Sequence, residues 1–85
     1  MNYFVYILRN EKGFYYIGVT NDLAVRLKRH NKDRGGKFTK NKGPFSLVYY
    51  EVFSDLSSAM RRERQIKGYS RKKKENLIRN FNQVI

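Results

Sequence analysis

Two runs of β-branched and aromatic residues near the N-terminus restrict what this chain can fold into more than any other feature. The runs are YFVYILR, from Tyr3 to Arg9, and FYYIGV, from Phe14 to Val19, and the turn-forming residues NEKG separate them. Residues of these types favour strands, so the pattern predicts a β-hairpin. Because a doubly wound parallel sheet needs more than the 85 residues of this chain, we expect the hairpin to belong to a small antiparallel sheet.

The middle of the chain predicts a helix, a loop and a further strand. Apolar residues recur at helical spacing after VTND, which predicts a helix that runs to about Asn31 and is capped by Thr20, Asn21 or Asp22. The following KDRGGKFTKNKGP is typical of a basic loop. The segment FSLVYYEVF alternates too little for a strand with one wet face, so we predict a mostly buried or central strand that ends near Ser54.

The remainder of the chain predicts two helices. Asp55 is a suitable cap for the first helix, and Gly68 is a natural stop. That helix carries one stripe of residues at helical spacing: Leu56, Ala59, Met60, Glu63 and Ile66. Ser70 caps the second helix, whose inward face consists of Leu77, Ile78 and Phe81. We therefore expect a single α/β domain over residues 1–85, a small three-stranded antiparallel sheet flanked by helices, with a cleft on one sheet face.

The charge of the chain indicates the class of its partner. Its 19 lysines and arginines against 7 acidic residues give a formal net charge of +12, which predicts a polyanionic partner. Nucleic acid is the leading candidate, because contacts with phosphates release condensed counterions; a membrane surface, the ribosome and a merely solvated basic surface are the alternatives. The absence of cysteine fits a reducing cytoplasm, and the run YFVYIL is too short to span a bilayer as a helix.

Glu63 is the most informative acidic residue, because it stands where the helical stripe calls for a hydrophobic side chain. A carboxylate that faces a core is costly unless it is paired or binds a metal. Two interpretations stay open: a salt bridge to an arginine at the edge of the helix, or a metal ligand. Glu51, which we place on one strand face with Tyr49 and Leu47, is the reserve candidate, since turns, caps or neighbouring lysines account for the other acids.

Four further side chains suit a site that cleaves phosphodiesters. Arg26 and His30 are one helical turn apart; an arginine matches phosphate oxygens, and a neutral histidine accepts a proton near pH 7. Tyr6 and Tyr16 fall near the middles of the hairpin strands, where an antiparallel register places them across from one another. A solvated helix edge or core packing is the ordinary alternative for each. Together with Glu63, they supply what a metal-assisted phosphodiesterase needs: water activation, charge stabilisation and a Lewis acid.

The order of these residues resembles the GIY-YIG nuclease superfamily, and in particular its small stand-alone members, the URI-domain predicted endonucleases. The second half of the name motif is intact as Tyr16-Ile17-Gly18, and the first half stands as Phe4-Val5-Tyr6, which keeps the tyrosine but not the glycine. Arg26 in NDLAVR, His30 one turn later and Glu63 in AMRRERQIK correspond to the family's arginine, histidine and metal-binding glutamate. The resemblance covers nearly the whole chain.

This resemblance implies an endonuclease that depends on Mg²⁺ or Mn²⁺ and hydrolyses nucleic acid, with DNA favoured over RNA. It implies that Glu63 binds the metal, that Arg26 neutralises charge on the phosphate, and that Tyr6, Tyr16 or His30 activates the water, the choice among the three being open. The basic residues expected to bind nucleic acid are Lys28, Arg29, Lys37, Lys40, Lys42, Arg71, Lys72, Lys73 and Lys74. The alternative is a non-catalytic module that binds nucleic acid or the ribosome and carries a vestigial site.

Overall fold

The structure, a computed structural model, describes residues 1–31 and 44–83. Its elements are β1 (Tyr3–Asn10), β2 (Tyr15–Thr20), α1 (Leu23–Asn31), β3 (Phe45–Phe53), α2 (Leu56–Lys67) and α3 (Arg71–Gln83). The predicted α/β class with a three-stranded antiparallel sheet is confirmed. Most of the predicted basic loop, residues 32–43, lies outside the described residues, as do the side chains at positions 30, 31, 82 and 83. In the two described stretches, no helix is long and apolar enough to cross a membrane.

The β1–β2 hairpin turns where NEKG predicted it. The Asn10 side chain accepts hydrogen bonds from the backbone N–H of Lys12 at 3.1 Å and of Phe14 at 2.8 Å. Gly13 has a φ of 87°, a left-handed conformation that residues with a side chain rarely adopt. One amide side chain and one glycine therefore define the turn.

The strand order is β2-β1-β3, and both pairs are antiparallel. The prediction that FSLVYYEVF forms a central or mostly buried strand is wrong, because β3 is an edge strand with Ser46, Tyr50 and Val52 exposed. The central strand is β1, in which residues 5–8 are at most 1% exposed. The weak alternation of β3 has another cause, a change of register within the strand.

A β-bulge in β3 determines which of its side chains share a face. Ile7 pairs with Tyr49, whereas the next residue of β1, Leu8, pairs with Leu47, so β3 contains one extra residue. Leu47 consequently packs on the sheet face that α1 covers, and Tyr49 packs on the opposite face with α2. The prediction that Leu47 shares a face with Tyr49 and Glu51 is wrong, because the alternation restarts after the bulge.

Polar side chains cap the three helices as predicted. Asp22, Asp55 and Ser70 each accept a hydrogen bond from the backbone N–H three residues later, at 3.1, 2.7 and 3.2 Å respectively. These bonds satisfy donors that the first turn of a helix leaves open. The N–H of Gly68 bonds to carbonyl groups of the last turn of α2, which ends at Lys67.

Helices α2 and α3 cover one face of the sheet. On α2, Ala59 and Ile66 are completely buried, but Leu56 and Met60 are 45% and 42% exposed. The predicted single apolar stripe is therefore wrong for Leu56 and Met60, because only a narrower line of the helix, which includes Ala59 and Ile66, is buried against the core. The predicted inward face of α3 packs against the same core through Leu77, Ile78 and Phe81.

Candidate active site

The ring of Tyr6 crosses the edge strand β2 at Gly18. The two residues are partners in the sheet register, and a Cβ atom at position 18 would lie 2.6 Å from Tyr6 Oη and 2.9 Å from Tyr6 Cζ. A glycine is required here because any side chain would collide with the phenol. Tyr6 is 1% exposed, so the glycine lets a buried ring extend its hydroxyl over the edge strand.

Tyr16 lies beside Tyr6 on the same face of the hairpin, but diagonally. The register pairs Tyr16 with Leu8 and Tyr6 with Gly18. The expectation that the two tyrosines stand directly across from one another is therefore wrong: they are offset by two residues along the strands. Their ring centroids are 6.2 Å apart with an angle of 31° between the planes. A hydrogen bond links the two hydroxyls and is one of the causes that raise the pKa of Tyr6. The hairpin therefore unites the two phenols through a diagonal contact.

Charged side chains from two helices act on the Tyr6 hydroxyl. Burial is the largest cause that raises the pKa of Tyr6 above its ordinary value, and Tyr16 raises it further. The guanidinium of Arg26 on α1 lowers this pKa, whereas the carboxylate of Glu63 on α2 raises it. Both charges are thus close enough to the phenol to influence its protonation. Three of the residues selected from the sequence, Tyr16, Arg26 and Glu63, therefore influence the hydroxyl of a fourth, Tyr6.

Glu63 is paired with a lysine on its own helix. Its Oε2 lies 3.6 Å from Nζ of Lys67, one turn later, and the two side chains are 20% and 55% exposed respectively. The arginine partner proposed as one interpretation is therefore not the ion-pair partner found. Such an i,i+4 pair with a solvated lysine contributes only about 0.3–0.5 kcal/mol. The Glu63 carboxylate remains accessible to a stronger cation.

Glu51, the reserve candidate, is instead engaged by Arg62. Nε of Arg62 lies 3.1 Å from each Glu51 carboxylate oxygen, and Nη2 lies 2.9 Å from Oε2. The hydroxyl of Tyr49 donates to the same carboxylate. Burial, followed by this hydrogen bond, raises the pKa of Tyr49 to about 12. Glu51 therefore ties β3 to α2 and has little acceptor capacity left for a metal.

The remaining selected residues divide into those that the structure shows at the surface and those that it does not describe. Of the basic residues that were selected and that the structure describes, Lys74 is half-buried beside β2. The others are exposed: Lys28, Arg29, Arg71, Lys72 and Lys73. His30 lies in α1, but its side chain is outside the described part of the chain. Lys37, Lys40 and Lys42 also lie outside the described residues.

The chemistry of the donor set suits Mg²⁺ or Mn²⁺ bound by a single carboxylate. Within residues 1–31 and 44–83, no group of three or more His, Cys, Asp or Glu side chains could hold a metal ion. Mg²⁺, however, prefers oxygen ligands and keeps several waters, so one or two carboxylates together with substrate phosphate are sufficient. The partly exposed carboxylate of Glu63 meets this requirement, and that of Glu51 does not.

Two side chains beside this cluster were missed in the sequence, Lys67 and Tyr15. Lys67 could have been found from its i,i+4 spacing to Glu63. Tyr15 lies under two guanidinium groups, with the Cζ atoms of Arg71 and Arg9 at 5.0 and 5.9 Å from its ring centroid. No local pattern signals this contact, because it joins the hairpin to α3 at the other end of the chain.

The small antiparallel α/β domain thus places two tyrosines of its hairpin within electrostatic range of an arginine and a glutamate from two helices. The family model described as the GIY-YIG catalytic domain matches residues 2–76. The chain belongs to the GIY-YIG family, a family of nuclease domains, as its sequence motifs predicted.

The chain is similar to bacterial proteins named UPF0213. It is 44% identical over 78 residues to the UPF0213 protein BH0048 of Halalkalibacterium halodurans, which covers 92% of this chain and 83% of the relative. It is 41% identical over 78 residues to a UPF0213 protein of Staphylococcus aureus, which covers 92% of this chain and 95% of the relative.

Two solved structures share the fold. The solution NMR structure of the UPF0213 protein BH0048 from Bacillus halodurans matches with a TM-score of 0.59 at 44% identity and covers 92% of this chain and 83% of that one. The solution NMR structure of the protein EF2693 from E. faecalis matches with a TM-score of 0.67 at 29% identity and covers 98% of this chain and 88% of that one.

Proposed function

We propose that the protein is a divalent-metal-dependent endonuclease that hydrolyses nucleic-acid phosphodiester bonds, with DNA as the substrate. The observation that carries the proposal is the pair of Tyr6 and Tyr16, whose ring centroids lie 6.2 Å apart, within electrostatic range of Arg26 on one helix and Glu63 on another. Partial burial of two phenols, a guanidinium and a carboxylate costs desolvation free energy, which apolar side chains at the same positions would not cost. Hydrolysis of a phosphodiester uses each of these polar groups.

Arg26 and Glu63 supply the electrostatic part of the proposed mechanism. Arg26 carries its charge at any physiological pH, and its planar guanidinium donates to the non-bridging oxygens, where negative charge grows as water attacks phosphorus. Glu63 would hold Mg²⁺ or Mn²⁺ together with water ligands; such an ion, when bound, supplies Lewis-acid stabilisation of phosphate oxygens. Lys67 is only weakly paired with Glu63, so it does not prevent this role.

Tyr6 keeps its proton in the free protein. Burial and the carboxylate of Glu63 both raise its pKa, so the phenol stays neutral at pH 7 and acts as a hydrogen-bond donor. We therefore propose that Tyr6 orients the water or the phosphate and that Tyr16 or His30 accepts the proton of the attacking water. Tyr16→Phe and His30→Gln separate these two bases, since loss of the true base should lower kcat far more than loss of the other side chain.

Glu63→Gln tests the function directly. The substitution keeps the volume and removes the charge, so we expect loss of Mg²⁺- and Mn²⁺-dependent cleavage with an unchanged fold and nearly unchanged affinity for DNA. Cleavage of labelled single-stranded, duplex, flapped and branched substrates is measured with each metal in turn. Glu11→Gln, at an exposed position in the hairpin turn, is the matched control for the loss of one carboxylate. Wild-type cleavage by Glu63→Gln would exclude Glu63 as a metal ligand.

A non-catalytic module that binds nucleic acid or the ribosome is a second candidate, supported by the net charge of +12. It predicts salt-dependent binding and no cleavage with any metal or substrate. The same panel of substrates therefore separates the two functions. In either case we propose that residues 1–85 act as one domain and that the protein works in the cytoplasm, in keeping with a sequence without cysteine.

A further inference from the structure

A second concave surface continues from the candidate active site along the edge strand β2. This pocket of about 280 Å³ is lined by Tyr15, Tyr16 and Ile17 of β2, by Lys67 of α2 and by Lys74 of α3. Its volume is near the lower end of the range for small-molecule sites. Two aromatic residues and an isoleucine of one strand form one wall, and lysines from two different helices complete the lining. The pocket is therefore shaped for one small anionic group with an apolar part.

Lys67 connects this pocket with the proposed metal ligand. It lines the pocket and also places its Nζ 3.6 Å from Oε2 of Glu63. An exposed pair of this kind is weak, and a cation bound by Glu63 would repel the ammonium. Lys67 would then gain a new acceptor only if an anion entered the pocket.

Lys74 adds a second positive charge, and the acidic residue of α3 nearest to it in sequence is paired with another residue. The acidic residue next to it, Glu75, is paired with Arg71 at 3.3 Å. Arg71 in turn lies over the ring of Tyr15, so the pocket has a cationic rim on the α3 side. Convergence of like charges is unfavourable without a counter-ion, and a phosphate group would relieve it.

We propose that this pocket is a subsite for the nucleotide next to the cleaved bond, in which Lys67 and Lys74 bind its phosphate and the wall of Tyr15, Tyr16 and Ile17 receives its sugar or base. The subsite rests on the proposed function, because it defines where the substrate strand runs beyond the reacting phosphate. The wall runs from Ile17, next to Gly18, to Tyr15, three residues away; its middle residue, Tyr16, is two residues from Gly18, about 7 Å at strand spacing. This is comparable with the separation of neighbouring phosphates in an extended strand.

Binding measured without any divalent ion tests the subsite independently of cleavage. The probe is a short single-stranded DNA in which one phosphate at a time is replaced by an uncharged methylphosphonate, and its affinity is compared for wild type and Lys74→Ala. We expect Lys74→Ala to weaken binding of the unmodified DNA about tenfold, as for one charge-assisted hydrogen bond. At one position, or two adjacent ones, the methylphosphonate should weaken binding to wild type clearly more than binding to Lys74→Ala, in which only Lys67 still contacts the phosphate.

Lys12→Ala, which removes one exposed lysine from the hairpin turn, is the control for net charge and should show the wild-type dependence on methylphosphonate position. Lys74→Arg should restore the positional effect, which a merely structural role of Lys74 would not require. The subsite would be overturned if the methylphosphonate weakened binding to Lys74→Ala as much as binding to wild type at every position of the DNA. It would also be overturned if Lys12→Ala showed the same position-dependent change as Lys74→Ala. A separate cleavage assay on the wild-type protein tests the proposed function, so positional coupling without cleavage would refute the nuclease and leave the pocket as a nucleotide-binding site only.

Discussion

Gly18→Ala is the substitution whose effect follows most directly from the geometry of the site. The new Cβ atom would lie 2.6 Å from Tyr6 Oη, 2.9 Å from Tyr6 Cζ and 3.1 Å from Tyr16 Cε1. Contacts below 3.0 Å force something to move, and Tyr6 is 1% exposed, so its ring cannot turn out into solvent. Both tyrosines, or the β1–β2 pairing itself, must shift.

The expected cost combines two opposing effects. Overpacking of a well-filled site costs about 1–3 kcal/mol. Replacing glycine by alanine also reduces the entropy of the unfolded chain, which offsets about 0.4–1 kcal/mol of that cost. We therefore expect Gly18→Ala to lower the free energy of unfolding by about 1–2 kcal/mol in urea titrations, with Tm falling by roughly 4–8 °C per kcal/mol for a domain of this size. Cleavage should fall by about 100-fold or more, because displacements near 1 Å are enough for such losses.

A double-mutant cycle with Tyr6→Phe identifies the clash as the cause. In the wild-type background, Tyr6→Phe loses the hydrogen bond to Tyr16 and costs about 0.5–1.5 kcal/mol. In the Gly18→Ala background it also removes the atom that makes the closest contact, so it should be neutral or stabilising. The coupling energy between the two positions should therefore be about 1 kcal/mol or more.

Gly68→Ala is the matched control for the same chemical change without a collision. A Cβ atom at Gly68 would approach no closer than 3.5 Å to Gln65 O, and the residue has a φ of −81°, so alanine fits without strain and should be neutral or slightly stabilising. The reasoning is refuted if Gly18→Ala keeps the wild-type free energy of unfolding and the wild-type cleavage rate, or if the cycle shows no coupling.

Three further predictions concern the charges and the buried phenols. Arg26→Ala should lower kcat by about 100-fold or more at saturating DNA with little change in KM, whereas Lys28→Ala should mainly raise KM; equal kcat values would exclude a catalytic role for Arg26. Binding to DNA should weaken with salt, and loss of one phosphate-contacting lysine from Arg71–Lys74 should reduce the slope of log affinity against log salt by about 0.7–0.9; an unchanged slope would remove that residue from the interface. Folding raises the pKa of Tyr49 from 10.0 to about 12, so the protonated phenol stabilises the folded state fully below about pH 10, and this contribution is lost as the pH rises towards 12. Tyr49→Phe should therefore make the free energy of unfolding fall less steeply between about pH 10 and 12. An unchanged slope over that interval would contradict this prediction.

The hairpin, the caps and the order of elements could be predicted because each depends on residues close together in the chain. NEKG defines a turn, and Asp22 and Asp55 each reach a donor three residues later. The position of β3 at the sheet edge could not be predicted, because strand order depends on contacts between distant segments. The bulge opposite Ile7 and Leu8 inserts one residue without any special residue type to mark it, and so the assignment of Leu47 to a face failed.

Four residues selected from the sequence, Tyr6, Tyr16, Arg26 and Glu63, lie within electrostatic range of one another, but their arrangement could not be predicted. Tyr6 and Tyr16 were selected as a facing pair, but the register makes them diagonal and inserts Gly18 opposite Tyr6. This arrangement gives the glycine of the YIG motif a physical reason, since it accommodates the phenol of the neighbouring strand. The role of Gly18 depends on a side chain from another strand, which no local pattern contains.

Glu51 and Glu63 show how a structural ion pair at one carboxylate can leave the neighbouring carboxylate available to another cation. Arg62 holds Glu51 through both carboxylate oxygens, which fixes α2 against β3 and therefore fixes the rotation of α2 about its own axis. The next residue, Glu63, points about 100° further round the helix, where its charge acts on Tyr6 at the opposite side of the sheet. In the run RRER, the residue types of Arg61, Arg62 and Arg64 are identical, so the sequence does not reveal which arginine anchors the helix. The anchored pair leaves Glu63 with a solvated lysine as its ion-pair partner, and this difference in partner, more than its place in an apolar stripe, makes Glu63 the better candidate to bind a metal.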